Sequence, residues 1–202
     1  MKKRKIGIYG GTFSPPHIGH VGAAESFAKA IAFDKLIIMP DFLPPHKNFD
    51  GEVTANDRLE MCRLAFSHIE NAEISDLEIK RGGKSYTALT LGELSSPDSE
   101  LYFLCGTDMF LTLGEWYAPE KIFECATICV IRRESDRDND SRIDELTEVY
   151  KKKYSARIVK IPGRIIEVSS SDIRDALKNS RQSSEFLPEK VYNYILDKGF
   201  YR

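Results

Sequence analysis

The feature that most constrains this chain is a short apolar run that ends in two glycines and a turn rich in histidine. Residues 5–9 are predicted to form a strand, and residues 10–20 read GGTFSPPHIGH before a helical pattern begins. Ligands of open parallel sheets bind beyond the carboxyl ends of the strands. Gly10 and Gly11 carry no Cβ, so the backbone can approach a ligand closely there. The turn therefore predicts a ligand site at the end of the first strand.

Short apolar runs alternate with stretches of helical period along the rest of the chain. Further strands are predicted over residues 35–39, 101–105, 126–131 and 157–161. Helices are predicted over residues 20–33, 54–66, 86–94, 143–154, 170–177 and 188–197, the last with Gly199 as its C-cap. Runs this apolar fit strands that are covered on both faces. The fold class is thus α/β: a doubly wound, Rossmann-like parallel sheet with helices on both faces.

No linker divides the chain into two cores. We expect residues 1–202 to form one domain, with C-terminal helices from about residue 169 packed on the sheet.

Composition excludes several classes of function. There are 29 Lys and Arg against 31 Asp and Glu, whereas a general nucleic-acid binder would show a basic surplus. No apolar run approaches the roughly 18 residues of a membrane span. The basic start is followed by an apolar stretch of only residues 6–9, so no export signal is predicted. The four cysteines show no paired zinc spacing, and we expect buried thiols in a cytoplasmic protein with no metal site.

The histidine turn is expected to bind phosphate. His17 and His20 are three residues apart at the predicted start of the first helix. The free N–H groups and the dipole of a helix N-terminus favour anions, and two imidazoles can face the same polyanion. The turn is neither a P-loop nor a GxGxxG dinucleotide turn, because both glycine patterns are absent here.

A second phosphate element is predicted near the end of the chain. Ser169 or Ser170 can cap the helix that follows, and hydroxyl groups there can donate to phosphate. Arg174, one turn later, offers a planar fork of donors that suits phosphate better than lysine does.

Two more strand ends carry polar or aromatic side chains. His46 and Lys47 follow the second strand after two stiffening prolines. Gly106 and Asp108 follow the third, where a carboxylate can approach a ribose, and Trp116 comes shortly after them.

These elements together carry a resemblance to a known family. The His-x-Gly-His turn resembles that of the T/HxGH nucleotidyltransferases. With residues 44–47, 85–87 and 116–117 and the serine-rich helix start, the chain closely resembles the family of bacterial nicotinate-nucleotide adenylyltransferases from residue 5 to about residue 201. One position departs from the pattern, since Ser14 stands where that family usually has Asp.

The resemblance implies transfer of AMP from ATP to nicotinate mononucleotide, giving deamido-NAD and pyrophosphate, with Mg²⁺ carried by the ATP phosphates. It implies that His17, His20 and Arg174 are catalytic. The implied ATP-binding residues are Gly10, Gly11, Thr12, Phe13, Gly106, Asp108, Ser170 and Ser171. The implied residues for nicotinate mononucleotide are His46, Lys47, Thr87, Trp116, Tyr117 and Arg132.

Other functions stay open at this point. The acceptor could be nicotinamide mononucleotide, phosphopantetheine or a sugar phosphate. A tRNA-synthetase fragment would need a Lys-Met-Ser-Lys-Ser-type loop, which the chain lacks. A non-catalytic nucleotide sensor would use the same pocket without releasing pyrophosphate. The sequence leaves open whether the chain forms a homo-oligomer and what the acidic segment 134–140 does.

Overall fold

The computed structural model describes residues 2–44, 53–133, 140–166, 168–179 and 183–202. In this part of the chain, six strands form one parallel sheet in the order β3-β2-β1-β4-β5-β6. The strands are β1 (Arg4–Gly11), β2 (Lys35–Pro40), β3 (Ala72–Ile74), β4 (Ser99–Gly106), β5 (Ala126–Arg133) and β6 (Ile158–Ile165). The α-helices are α1 (Ile18–Ile31), α2 (Ala55–Phe66), α3 (Leu77–Arg81), α4 (Thr87–Leu94), α5 (Thr107–Thr112), α6 (Pro119–Cys125), α7 (Asp140–Tyr154), α8 (Ser170–Lys178) and α9 (Glu189–Lys198).

This order confirms the predicted doubly wound fold. The first strand lies in the middle of the sheet, between β2 and β4, and the chain winds outward from it in both directions. A crevice opens at the carboxyl ends of β1 and β4, where the strand order reverses. No helix among the described residues is long and apolar enough to cross a membrane.

Apolar residues cover both faces of the sheet. One core cluster joins the sheet to α1, α2, α8 and α9 through residues such as Phe27, Phe66 and Ile195. The other joins it to α4, α5, α6 and α7 through residues such as Leu91 and Phe123. Coverage of both faces explains why β2, the end of β4 and most of β5 are runs of buried apolar residues rather than alternating patterns.

The predicted strands and helices exist, but four short elements escaped prediction. Strand β3 has three residues and α3 has five, too few to show a period. Helices α5 and α6 were missed because they adjoin β4 and β5 directly. Strand β6 runs to Ile165 rather than ending at residue 161, and it passes through Pro162 and Gly163. It lies at the edge of the sheet, where a proline is tolerated because an outward N–H is not needed for pairing.

Candidate active site

A cleft with a volume of about 1250 Å³ lies over the carboxyl ends of β1 and β4. Most of the residues that the sequence predicts for function line it, although they come from five separate segments. The predicted site residues in its wall are Gly10, Gly11, Thr12, Phe13, His17, His20, Thr87, Gly106, Asp108, Trp116, Tyr117, Ser170, Ser171 and Arg174. The fold therefore brings the first turn, the middle strand ends and the C-terminal serine helix to one place.

The two histidines cap the first helix with each other's help. Helix α1 begins at Ile18, two residues earlier than predicted, because the His17 side chain serves as its N-cap. The backbone N–H of His20 donates to His17 Nδ1 at 3.4 Å, and the N–H of His17 donates to His20 Nδ1 at 3.3 Å. The rings stack with their centroids 3.7 Å apart. With Nδ1 accepting in both residues, the neutral form of each ring carries its hydrogen on Nε2.

A side chain would clash with its surroundings at Gly19 and would be crowded at Gly11. A Cβ on Gly19 would lie 2.9 Å from the carbonyl oxygen of Ile166 and 3.1 Å from His17 Nδ1. A Cβ on Gly11 would lie 3.1 Å from the Phe13 ring, which is buried against Phe66. The glycine between the histidines therefore allows the imidazole, the first turn of α1 and the end of β6 to pack together.

The C-terminal serine helix is bonded to the same turn. Ser169 is the N-cap of α8, and its hydroxyl accepts from the N–H of Asp172. Ser170 Oγ donates to the carbonyl of Pro15 at 2.9 Å, and Arg174 Nη1 donates to the carbonyl of Ser14 at 2.8 Å. The start of α8 and the start of α1 are thus fixed side by side, and both helix N-termini adjoin the cleft.

Ser14 also bonds to the end of the chain. Its hydroxyl lies 2.9 Å from the Tyr201 hydroxyl, and both residues are buried. Burial raises the pKa of Tyr201 to about 12, so the phenol stays protonated near neutral pH. The residue that departs from the family pattern therefore has a partner in this chain.

Aromatic rings form the other end of the cleft. Tyr117 is exposed and its ring lies 4.7 Å from that of Tyr86, the N-cap of α4. Trp116 Nε1 donates to Thr112 Oγ1 at 3.3 Å, which fixes the indole plane. Thr87 is the first residue of α4, so this end also faces a helix N-terminus. A flat ring that carries an anionic group fits such surroundings.

Of the remaining predicted site residues, the structure describes only Arg132, which is not among the residues that line the cleft. Its guanidinium contacts the Asp140 carboxylate at the start of α7. His46 and Lys47 lie outside the described residues, as does most of the acidic segment, residues 134–139.

Sequence reasoning missed a buried polar network beneath the cleft. Arg58 is 0% exposed although it lies in a helix of mixed polar pattern. It contacts Asp41 at 3.0 Å as well as the backbone carbonyls of Thr12 and Phe42. Asp41 directly follows β2, and its position at a strand end was the one available signal.

A second buried carboxyl lies near the aromatic end. Glu78 accepts a hydrogen bond from Thr90 Oγ1, and the guanidinium of Arg81 lies 3.6 Å away. Burial raises the pKa of Glu78 above its usual value, while hydrogen bonds from Thr90 and Ser85 partly oppose that rise. Among the described residues, no group of three or more His, Cys, Asp or Glu side chains could hold a metal ion.

Comparison with known proteins gives one consistent result. The profile of the cytidylyltransferase-like family matches residues 8–176. The chain is 35% identical over 201 residues to a protein of Listeria monocytogenes serotype 4a, with 98% of each chain covered. It is 36% identical over 200 residues to one of Lachnoclostridium phytofermentans, with 98% of this chain and 99% of the relative covered. Both relatives carry the name "Probable nicotinate-nucleotide adenylyltransferase".

A solved structure has the same fold. Plasmodium falciparum nicotinic acid mononucleotide adenylyltransferase complexed with NaAD matches with a TM-score of 0.77. The match covers 98% of this chain and 97% of that one at 19% identity, so it bears on the fold alone.

Proposed function

The chain belongs to the cytidylyltransferase-like family and, within it, to the nicotinate-nucleotide adenylyltransferases, and we propose that it transfers AMP from ATP to nicotinate mononucleotide. The products are deamido-NAD and pyrophosphate. The observation that carries this proposal is the convergence of His17, His20 and Arg174, from opposite ends of the chain, on one cleft. A cleft of about 1250 Å³ has room for two nucleotides.

The chemistry needs positioning and charge stabilisation more than proton transfer. The acceptor phosphate is already a nucleophile, so the site needs no general base and forms no covalent intermediate. In this proposal the imidazoles donate hydrogen bonds to the phosphate oxygens of ATP, where charge builds up as the acceptor oxygen attacks the α-phosphorus. Arg174, held against the Ser14 carbonyl, supplies positive charge on the same side.

The nucleotide enters as MgATP in this proposal. Magnesium keeps several waters and binds through substrate phosphates more readily than through an all-protein cage. The Mg²⁺ requirement is therefore a property of the substrate complex, while the protein groups at the helix starts bind the remaining phosphate oxygens.

The acid form of the acceptor fits the aromatic end of the cleft. The nicotinate ring would stack near Trp116, and its carboxylate would meet backbone groups around Thr87 and Tyr117. The N-terminus of α4 at Thr87 favours an anion there. Donors arranged for a carboxylate are poorly matched by the amide of nicotinamide mononucleotide, so the acid should react faster.

The proposal extends to the setting of the reaction. All four cysteines are free thiols, which suits a reducing cytoplasm. The chain acts as one domain, residues 1–202, on small-molecule substrates rather than on nucleic acid or membranes.

An acceptor comparison tests the function. The protein is incubated with ATP and Mg²⁺ plus nicotinate mononucleotide, nicotinamide mononucleotide or phosphopantetheine, and each product is identified by mass. We expect deamido-NAD and pyrophosphate in equal amounts, little reaction with the other acceptors, and none after chelation of the metal. Equal use of acid and amide would remove the acid selectivity. If the protein binds ATP but releases no pyrophosphate with any acceptor, the result would favour the alternative function, a non-catalytic nucleotide sensor.

A further inference from the structure

We propose that Arg58 is a positioning residue that holds the ATP side and the acceptor side of the cleft at a fixed separation. The inference rests on the proposed function, because it assigns the two sides from that reaction. Arg58 is not among the cleft-lining residues, and it lies fully buried in α2. Its role is therefore exerted through the loops that it contacts.

Nη1 of the Arg58 guanidinium binds the turn after β1, which lies on the proposed ATP side of the cleft. Arg58 Nη1 donates to the Thr12 carbonyl at 2.8 Å and to Asp41 Oδ1 at 3.0 Å. The other carboxylate oxygen of Asp41 accepts from Thr12 Oγ1 at 2.8 Å, and the Asp41 N–H donates to the Gly11 carbonyl at 3.0 Å. Both the backbone and the side chain of Thr12 are thus fixed by the Arg58–Asp41 pair.

Nη2 of Arg58 binds the loop after β2, which leads to the proposed acceptor side of the cleft. Arg58 Nη2 donates to the carbonyls of Asp41 and Phe42, at 2.7 and 3.0 Å. The Phe42 N–H in turn donates to Ser85 Oγ at 2.9 Å, and the Ser85 N–H donates to the Leu43 carbonyl at 2.9 Å.

Ser85 lies two residues before Thr87, at the aromatic end of the cleft. Ser85 directly precedes Tyr86, the N-cap of α4, whose carbonyl accepts from the Thr90 N–H. A path of hydrogen bonds therefore runs from Thr12, through Arg58 and Phe42, to Ser85 at the start of α4.

The proposed reaction would depend on this hydrogen-bond path, because the path fixes the relative position of the loops that bind the two substrates. Attack requires the acceptor phosphate oxygen and the α-phosphorus to meet within a few tenths of an ångström of one geometry, and small displacements cost rate rather than binding. The two substrates are bound by different loops, after β1 and after β2 and α3. A planar guanidinium with two donating nitrogens can fix both loops at once, which the single nitrogen of lysine cannot do.

The test replaces Arg58 with a residue that keeps the charge and loses the fork. We expect Arg58→Lys to lower kcat with nicotinate mononucleotide on the order of 100-fold, while KM for each substrate changes less than about threefold. Arg63→Lys is the matched control, because Arg63 lies on the same helix and its guanidinium contacts the exposed Glu60. That control should retain the kcat of the unmodified protein.

A second variant covers the case in which Arg58→Lys fails to fold. Ser85→Ala removes the contact to the Phe42 N–H with little change in volume, and we expect it to lower kcat on the order of 10-fold. In the double variant the two losses should be less than multiplicative, since both break one path.

Two outcomes would overturn the inference. One is unchanged kcat in folded Arg58→Lys and in Ser85→Ala. The other is a rise in KM for a single substrate at constant kcat, which would assign Arg58 to one subsite. Absence of any reaction in the unmodified protein would instead refute the proposed function, so the two failures are distinct.

Discussion

At the scale of single residues, the Ser14–Tyr201 pair shows how a departure from a family pattern is accommodated. The Ser14 hydroxyl meets the Tyr201 hydroxyl, while its carbonyl accepts from Arg174. Ser14 therefore lies between the end of the chain and a proposed catalytic arginine. A neutral hydroxyl pair occupies this position without the negative charge that an aspartate would bring to the wall of the cleft.

Removal of the Tyr201 hydroxyl should show how much its hydrogen bond with Ser14 contributes to stability. We expect Tyr201→Phe to lower the free energy of unfolding by about 1–2 kcal/mol, because it leaves the buried Ser14 hydroxyl without that partner. Urea unfolding monitored by circular dichroism measures the change, with Tyr192→Phe on α9 as the control. A Tyr201→Phe protein as stable as the parent would show that the bond contributes nothing.

Single residues also mark the limit of what the sequence predicts. His17, His20 and Arg174 could be proposed because their spacing and their place at helix starts have a chemical meaning. Arg58 could not, because it occurs among polar residues of a helix and only the tertiary fold shows that it is buried. The contact of Tyr201 with Ser14 could not be predicted either, because the two residues are 187 positions apart in the sequence.

At the scale of elements, α2 is held by contacts at its first turn. Thr54 and Asp57 form a capping box, in which each side chain accepts from the backbone N–H of the other. Tyr194 of α9 donates to the other oxygen of Asp57 at 3.1 Å. The turn thus fixes the start of the helix that carries Arg58 and joins it to the C-terminal helix.

The stability of this turn should depend on pH. Burial alone would raise the pKa of Asp57, but hydrogen bonds from Thr54 and Tyr194 outweigh it and lower the pKa below 3.8. A lowered pKa gives stability that is present above the unfolded value and is lost as pH falls through the folded value. We expect Asp57→Asn to cost about 1 kcal/mol at neutral pH and distinctly less at about pH 3. Denaturant unfolding at both pH values measures this, and an equal cost at each would contradict it.

Element prediction succeeded where a pattern had room to repeat. Helices α2, α4 and α9 lie within one or two residues of their predicted ranges, and Gly199 takes the left-handed conformation of a helix C-cap. The three residues of β3 and the five of α3 are too few for a hydrophobic period. Their structure is imposed by pairing with β2 and by packing, which only the assembled sheet supplies.

At the scale of the whole molecule, the sheet order decides where chemistry can occur. The first strand is central, so its glycine turn lies beside Gly106 at the end of β4 and is covered by the serine helix from the far end of the chain. Residues separated by more than 150 positions thereby face one cleft. The sequence predicts this meeting through the α/β alternation, whereas the buried path below it follows from three-dimensional packing alone.

The most direct test of the account is the turnover of a His20→Ala variant. Steady-state pyrophosphate release from MgATP and nicotinate mononucleotide is measured for this variant and the parent, with thermal unfolding as a check on folding. We predict that kcat falls on the order of 10²–10³-fold while KM for nicotinate mononucleotide changes little, because the imidazole acts on charge that develops at the phosphate of ATP. A folded His20→Ala protein with the turnover of the parent would contradict the account.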